Sequence, residues 1–194
     1  MRYLTIILAA GSLWMASCTN NSETKNETAN TPAEPKKAPE SSLDAAGTGK
    51  LMTVVADYYA LKDALVATSA AKADAAAGKL GTSVDTMIAY VKTDSVKGKT
   101  LQPYLDTMAM GAKAVLAVKD ETCEQKRVPF EKISDAMFAV LKAANLKNAG
   151  VYRQYCPMAF NEKGAYWLSN ETEIKNPYYG KKMLECGEVT DSLK

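Results

Sequence analysis

Between residues 44 and 146, apolar residues return every three or four positions, the period of one face of an α-helix. Four runs carry the pattern. The first holds Leu51, Val54, Val55, Tyr58, Leu61 and Leu65, and the second Ala73, Ala76, Ala77, Leu80, Val84, Met87, Ile88 and Val91. The third holds Leu101, Tyr104, Leu105, Met108, Ala112, Val115 and Leu116, and the fourth Phe130, Ile133, Met137, Val140, Leu141 and Ala144. Breaks fall at the Ser/Ala-rich 68–71, at Thr93–Lys99 with Gly98, and near Lys119–Thr122. Thr122 and Gln125 have the spacing of a capping box. Pro129 either marks the start of the fourth helix or kinks it. Gly78, Gly81 and Gly111 weaken the helix interiors around them. Four helices with short connections predict a mainly α fold, an antiparallel up-and-down four-helix bundle over residues 44–148. Met87, Met108, Met110 and Met137 lie at or near the stripes and are expected as core filler. The charged residues between stripes are expected on solvated faces.

After Gly150 the period shortens and aromatics crowd in. Tyr152, Tyr155, Phe160, Tyr166, Trp167, Tyr178 and Tyr179 fall within 151–180. VYRQYC and AYWLS read as short strands, with turns at Asn161–Gly164 and Asn176–Gly180. Residues 149–194 are expected to form a small irregular or β-rich cap, one folded unit with the bundle. The aromatics are expected to be its core.

The first 43 residues have neither pattern. MRYLTIILAAGSLWMASC reads as an export signal, with Arg2 as its positive region and Leu4–Met15 as a short apolar stretch. It ends in Met15-Ala16-Ser17-Cys18, which is similar to a bacterial lipobox, so residues 1–17 are expected as a lipoprotein signal peptide and Cys18 as the lipidated residue. Residues 19–42 lack large aliphatic and aromatic side chains and carry Pro32, Pro35 and Pro39. Such a segment cannot bury enough apolar surface to order itself, so residues 18–43 are expected as a disordered tether. The expected location is the cell envelope, anchored by lipid alone. Thr19 follows the cysteine where an inner-membrane sorting signal would have aspartate, which favours the outer membrane facing the periplasm.

Composition narrows the chemistry. The 194 residues carry 24 basic and 22 acidic side chains, a formal net charge of +2, so no nucleic-acid partner is indicated. Histidine is absent. This excludes Ser-His-Asp and Cys-His catalysis and His-ligated haem or zinc. No spaced catalytic constellation replaces it, and an enzyme is not expected.

Sulfur remains. With Cys18 lipidated, Cys123, Cys156 and Cys186 are left, an odd number in an oxidising compartment. Pro157 pushes Cys156 toward an extended conformation, in which Cys156 and Met158 project to one side. Met183 and Cys186, three apart, share one face if Gly180–Cys186 forms a helical turn. Two thiolates and two thioethers without imidazole form a soft donor set suited to Cu(I). Zinc rarely uses methionine. Cys156, Met158, Met183 and Cys186 are thus candidate metal ligands. Equally, Cys156 and Cys186 are a candidate disulfide, with the methionines packed on the aromatics. Cys123 is expected as a partly buried thiol at a helix start, where a helix N-terminus lowers a thiol pKa.

The segment YCPMAFNEKGAYWLSNETEIKNPYYGKKMLECGEV resembles the signature of an uncharacterised bacterial domain. That domain is common in Bacteroidetes lipoproteins and is also attached to periplasmic adaptor subunits of heavy-metal (copper) efflux systems. Cys156-Pro157-Met158, Trp167-Leu168-Ser169, Ile174, Asn176-Pro177-Tyr178, Gly180, Met183-Leu184 and Cys186-Gly187 carry the resemblance, and the helices from about residue 50 fit it more loosely. It implies metal handling and metal-efflux envelope proteins as partners, and gives Cys123 no role. The expectation is a lipid-anchored Cu(I)-binding protein that buffers the metal or hands it to an efflux partner. The alternative is a disulfide-stapled helical interaction module without metal.

Overall fold

The structure is a computed structural model that describes residues 37–193. The expected signal peptide, Cys18 and most of the tether lie outside the described residues. Four long helices, α1 (Ala45–Val66), α2 (Ala70–Val91), α3 (Ser95–Ala117) and α4 (Arg127–Ala143), run up and down, each packed on the next. They are followed by three strands, β1 (Val151–Cys156), β2 (Ala165–Ser169) and β3 (Glu188–Leu193). These form an antiparallel sheet in the order β2-β1-β3. Among the described residues, no helix is long and apolar enough to cross a membrane.

The helix ends follow from local chemistry. Asp44 caps α1 by accepting the Gly47 N–H at 2.7 Å, and Asp94 caps α3 by accepting from Val96 and Lys97. At the other ends, Thr68 and Asn145 sit at positive φ, while Ser69 and Leu146 donate back to Ala64 and Leu141. These are left-handed terminations made without glycine. The chain before α1 is already fixed from Glu40, which pairs with Lys147, and Leu43 is buried.

The apolar stripes are the core, with three exceptions. Tyr104 and Leu116 of the third stripe are exposed, as is Met110, whereas Met87, Met108 and Met137 are buried. Gly98 lies inside α3 rather than in the break before it. Pro129 falls in the first turn of α4, where a missing N–H costs nothing, and does not kink it. The expected Thr122–Gln125 capping box does not form. Instead the Asp120 carboxylate accepts from the N–H groups of Thr122 and Gln125 and from the Thr122 hydroxyl.

Three charged side chains expected on solvated faces are buried: Lys62, Lys126 and Arg127. Lys126 reaches Asp74 of α2 at 2.6 Å and donates to the carbonyls of Val115 and Val118 at the end of α3. Those carbonyls have no partner within the helix. Arg127 donates to the carbonyls of Leu65, Thr122 and Pro177 and to the Thr68 hydroxyl. It thereby ties the end of α1 to the loop after β2.

The sheet joins the bundle through α1 and α4. Tyr58 of α1 stacks on Phe130 of α4 with centroids 5.4 Å apart, and its hydroxyl meets Ser134. Arg153 of β1 lies between the rings of Phe138 (4.1 Å) and Tyr166 (3.7 Å). Trp167 and Tyr178 are buried edge to face. Of the aromatic crowd expected as core, Trp167 and Tyr178 are buried, whereas Tyr152, Tyr155, Phe160, Tyr166 and Tyr179 are half-buried around them.

Candidate functional site: the Cys156–Cys186 pair

Cys156 ends β1, opposite Ala165 of β2, and is fully buried. After it, Pro157 and Met158 lead into a turn in which Phe160, Asn161 and Glu162 all have positive φ. The chain then returns as β2. Cys186 lies past a 3-10 turn at Gly180–Lys182 and just before β3, and is half-buried. Its sulfur is 2.8 Å from that of Cys156. Two segments thirty residues apart in sequence thus bring their sulfurs together.

The polar framework of the site is centred on Asn176, which is fully buried. Its Nδ2 donates to the Cys186 carbonyl at 2.8 Å, and its Oδ1 accepts the N–H groups of Tyr178 and Tyr179. Its own N–H donates to Leu184, and its carbonyl accepts from Gly180. One side chain and its peptide group therefore shape the whole loop that carries Cys186. The Asn-Pro dipeptide marks a turn in the sequence, but nothing local shows that its amide holds a cysteine ten residues away. Gly187, at φ +147, lies against Trp167 and the Tyr155 carbonyl. A Cβ there would come within 2.8 Å of both.

The methionines flank the pair through their backbones. The Met183 carbonyl accepts the Cys186 N–H at 3.2 Å. The Tyr179 hydroxyl donates to the Met158 carbonyl at 2.5 Å. Both methionine side chains reach the surface, Met158 at 42% exposure and Met183 at 37%. Burial, with the neighbouring sulfur second, pushes the Cys186 thiol up to about 11. The Cys186 thiol is thus protonated at neutral pH until something displaces its proton.

Cys123 stands apart. It lies in the loop between α3 and α4 at φ +62 and is fully buried. The lowered pKa expected from a helix N-terminus is not found. Burial raises it, outweighing the favourable charge of Arg127. Among the described residues, no group of three or more His, Cys, Asp or Glu side chains is arranged to hold an ion. A metal at the cysteine pair would therefore have only thioether, backbone or external donors beyond the two thiolates. An ion bonded to two thiolates at about 2.3 Å in tetrahedral geometry holds them roughly 3.8 Å apart, and a disulfide at about 2.05 Å. The observed separation lies between, so a modest side-chain rotation reaches either. The donor set fits a soft monovalent ion.

Residues 54–149, a little under half of the chain, match the model of a family described as a protein of unknown function (DUF3347). The match marks an uncharacterised domain over most of the bundle and ends just before β1. The sheet and the cysteine pair lie beyond it. No curated protein and no solved structure matches the chain.

Proposed function

We propose that this protein is a soft-metal binding protein of the cell envelope, anchored through Cys18, in which Cys156 and Cys186 hold Cu(I) as a dithiolate. In this reading the pair closes to a disulfide when empty and oxidised, and serves to buffer the metal or pass it to an efflux partner. One observation carries the reading: the two sulfurs lie 2.8 Å apart, with no third His, Cys, Asp or Glu grouped with them among the described residues. Cys156 and Cys186 would be the principal ligands, and Met158 and Met183, on either side of Cys186, weaker ones that rotate in from the surface. The resemblance of the C-terminal motif to a domain attached to copper-efflux adaptors supports the same reading.

The test is an anaerobic Cu(I) titration of the reduced protein against a competing chelator. The wild type should take up one equivalent that the Cys156→Ser/Cys186→Ser double variant does not. Equal binding by the two would overturn the proposal.

The second reading, a disulfide-stapled module that presents a surface to another envelope protein, is favoured by the same distance, which is shorter than an ion bridging two thiolates would leave. Thiol counting under denaturing conditions separates the two. A pair that stays covalently closed in the presence of Cu(I) and mild reductant belongs to the staple. A pair that opens and is then protected by Cu(I) belongs to the metal site.

A further inference from the structure

The two sulfurs are not equivalent. Cys156 is fully buried at the end of a central strand, whereas Cys186 is partly exposed on a loop. Beside Cys186 the exposed residues include the apolar Met158, Met183 and Leu184, at 42, 37 and 38%, next to the charged Glu185 and Glu188. We propose that the pair is a thiol–disulfide exchange site of fixed polarity, in which an external thiolate attacks Cys186 and Cys156 is the internal leaving and resolving sulfur. This rests on the reading that the pair cycles between an empty disulfide and a metal-holding dithiol, and supplies the step by which the closed form is reopened. The substrate class is a thiol, either a cysteine of a partner protein or a small-molecule thiol.

The reaction requires three sulfurs in line, with the central one reachable from outside. Access decides the central atom. The buried side of the pair is closed by the sheet and by Ala165 opposite Cys156. The incoming thiolate bonds to the Cys186 sulfur, the Cys156–Cys186 bond breaks, and Cys156 leaves as a thiolate that takes up a proton. A second external thiolate then attacks the outer sulfur of the mixed disulfide and releases Cys186 as a thiol. Two external thiols become one disulfide, and two electrons and two protons pass to the pair. The framework suits a central atom that must stay in place throughout. Cys186 is held by Asn176 at its carbonyl and by Met183 at its N–H, while the next residue, Gly187, lies against Trp167.

The experiment uses the full chain. Oxidised wild type is exposed to reduced glutathione, quenched in acid and digested, and the mixed disulfide is located by mass spectrometry. Glutathione on Cys186 in at least tenfold excess over Cys156 is the expected result. Equal labelling, labelling mainly on Cys156, or failure of the oxidised chain to contain the disulfide overturns the proposal. In parallel, the Cys156→Ser and Cys186→Ser variants are reacted with oxidised glutathione under native conditions. The thiol left in Cys156→Ser should react at least tenfold faster than the one left in Cys186→Ser, and comparable rates overturn the assignment. The wild-type mapping decides the matter if a variant does not fold. Failure here leaves the chelator titration untouched, so exchange polarity and Cu(I) binding can fail separately.

Discussion

The hydroxyl of Tyr58, on the inner face of α1, accepts the main-chain N–H of Leu168 in β2 at 3.0 Å. The same hydroxyl meets the Ser134 hydroxyl of α4 at 2.8 Å. A single buried oxygen therefore joins the first helix, the fourth helix and the sheet. The strand that it fixes lies beside the one ending in Cys156.

Tyr58→Phe keeps the ring and its stacking on Phe130 but leaves the Leu168 N–H and the Ser134 hydroxyl without this partner. An unpaired buried polar group costs about 1–3 kcal/mol. The variant should lose about that much stability in chemical denaturation, with an unchanged slope against denaturant.

A disulfide between Cys156 and Cys186, which are free thiols 2.8 Å apart in the structure, would close a loop of thirty residues. On the chain-entropy model such a closure contributes about 3.6 kcal/mol. Oxidised wild type should therefore unfold at a clearly higher temperature than the same protein in strong reductant. The Cys156→Ser/Cys186→Ser double variant should show no such dependence. A reductant-independent melting temperature for wild type would mean that the sulfurs do not bond.

Two glycines should respond to alanine with opposite signs. A Cβ at Gly111 would come to 2.5 Å from Cγ1 of Ile133, so α3 and α4 would be forced apart. Gly111→Ala should destabilise by about 1–3 kcal/mol. Gly78, inside α2, has nothing within 4 Å of the same position. Gly78→Ala should stabilise by about 0.5–1 kcal/mol by restricting the unfolded chain.

Lys126 has 1% side-chain exposure and, among the described residues, one carboxylate partner, Asp74. Asp74→Ala leaves the ammonium buried with carbonyls but no counter-charge. Breaking a buried pair in this way costs about 3–5 kcal/mol, and the lower end applies because Val115 and Val118 still accept from it. Urea denaturation of the variant measures the loss.

Asp44 is held below the ordinary carboxylate range, first by the Gly47 N–H and then by the Tyr90 hydroxyl. A carboxyl whose folded pKa is depressed adds stability that is fully present above its unfolded pKa of about 3.9. That stability is lost as pH falls through the lower, folded value. The gap in melting temperature between wild type and Asp44→Asn should thus be constant near neutrality and shrink below about pH 4.

The four helices, their order and two of the three strands were legible in the sequence, because periodicity is local. A repeat of 3.6 or 2 positions is written in neighbouring residues and survives whatever they pack against. Strand β3 was not legible. EVTDSL is largely exposed and charged, so it lacks the alternation that marks a half-buried strand. The buried states of Lys126 and Arg127 also escaped, since the partners that make those charges tolerable in a core are many residues away.

For the candidate site, residue type and spacing singled out four sulfurs and left their arrangement open. Tertiary structure decided that Cys156 and Cys186 meet, that Cys156 is enclosed while Cys186 is only half-buried, and that Cys123 is buried elsewhere. It also made Asn176 the residue that holds the second cysteine in place. The physical reason is that a sequence specifies which face each side chain takes on its own element. Which faces meet across a loop of thirty residues depends on the packing of the whole sheet against α1 and α4, through contacts such as that of Tyr58 with Leu168.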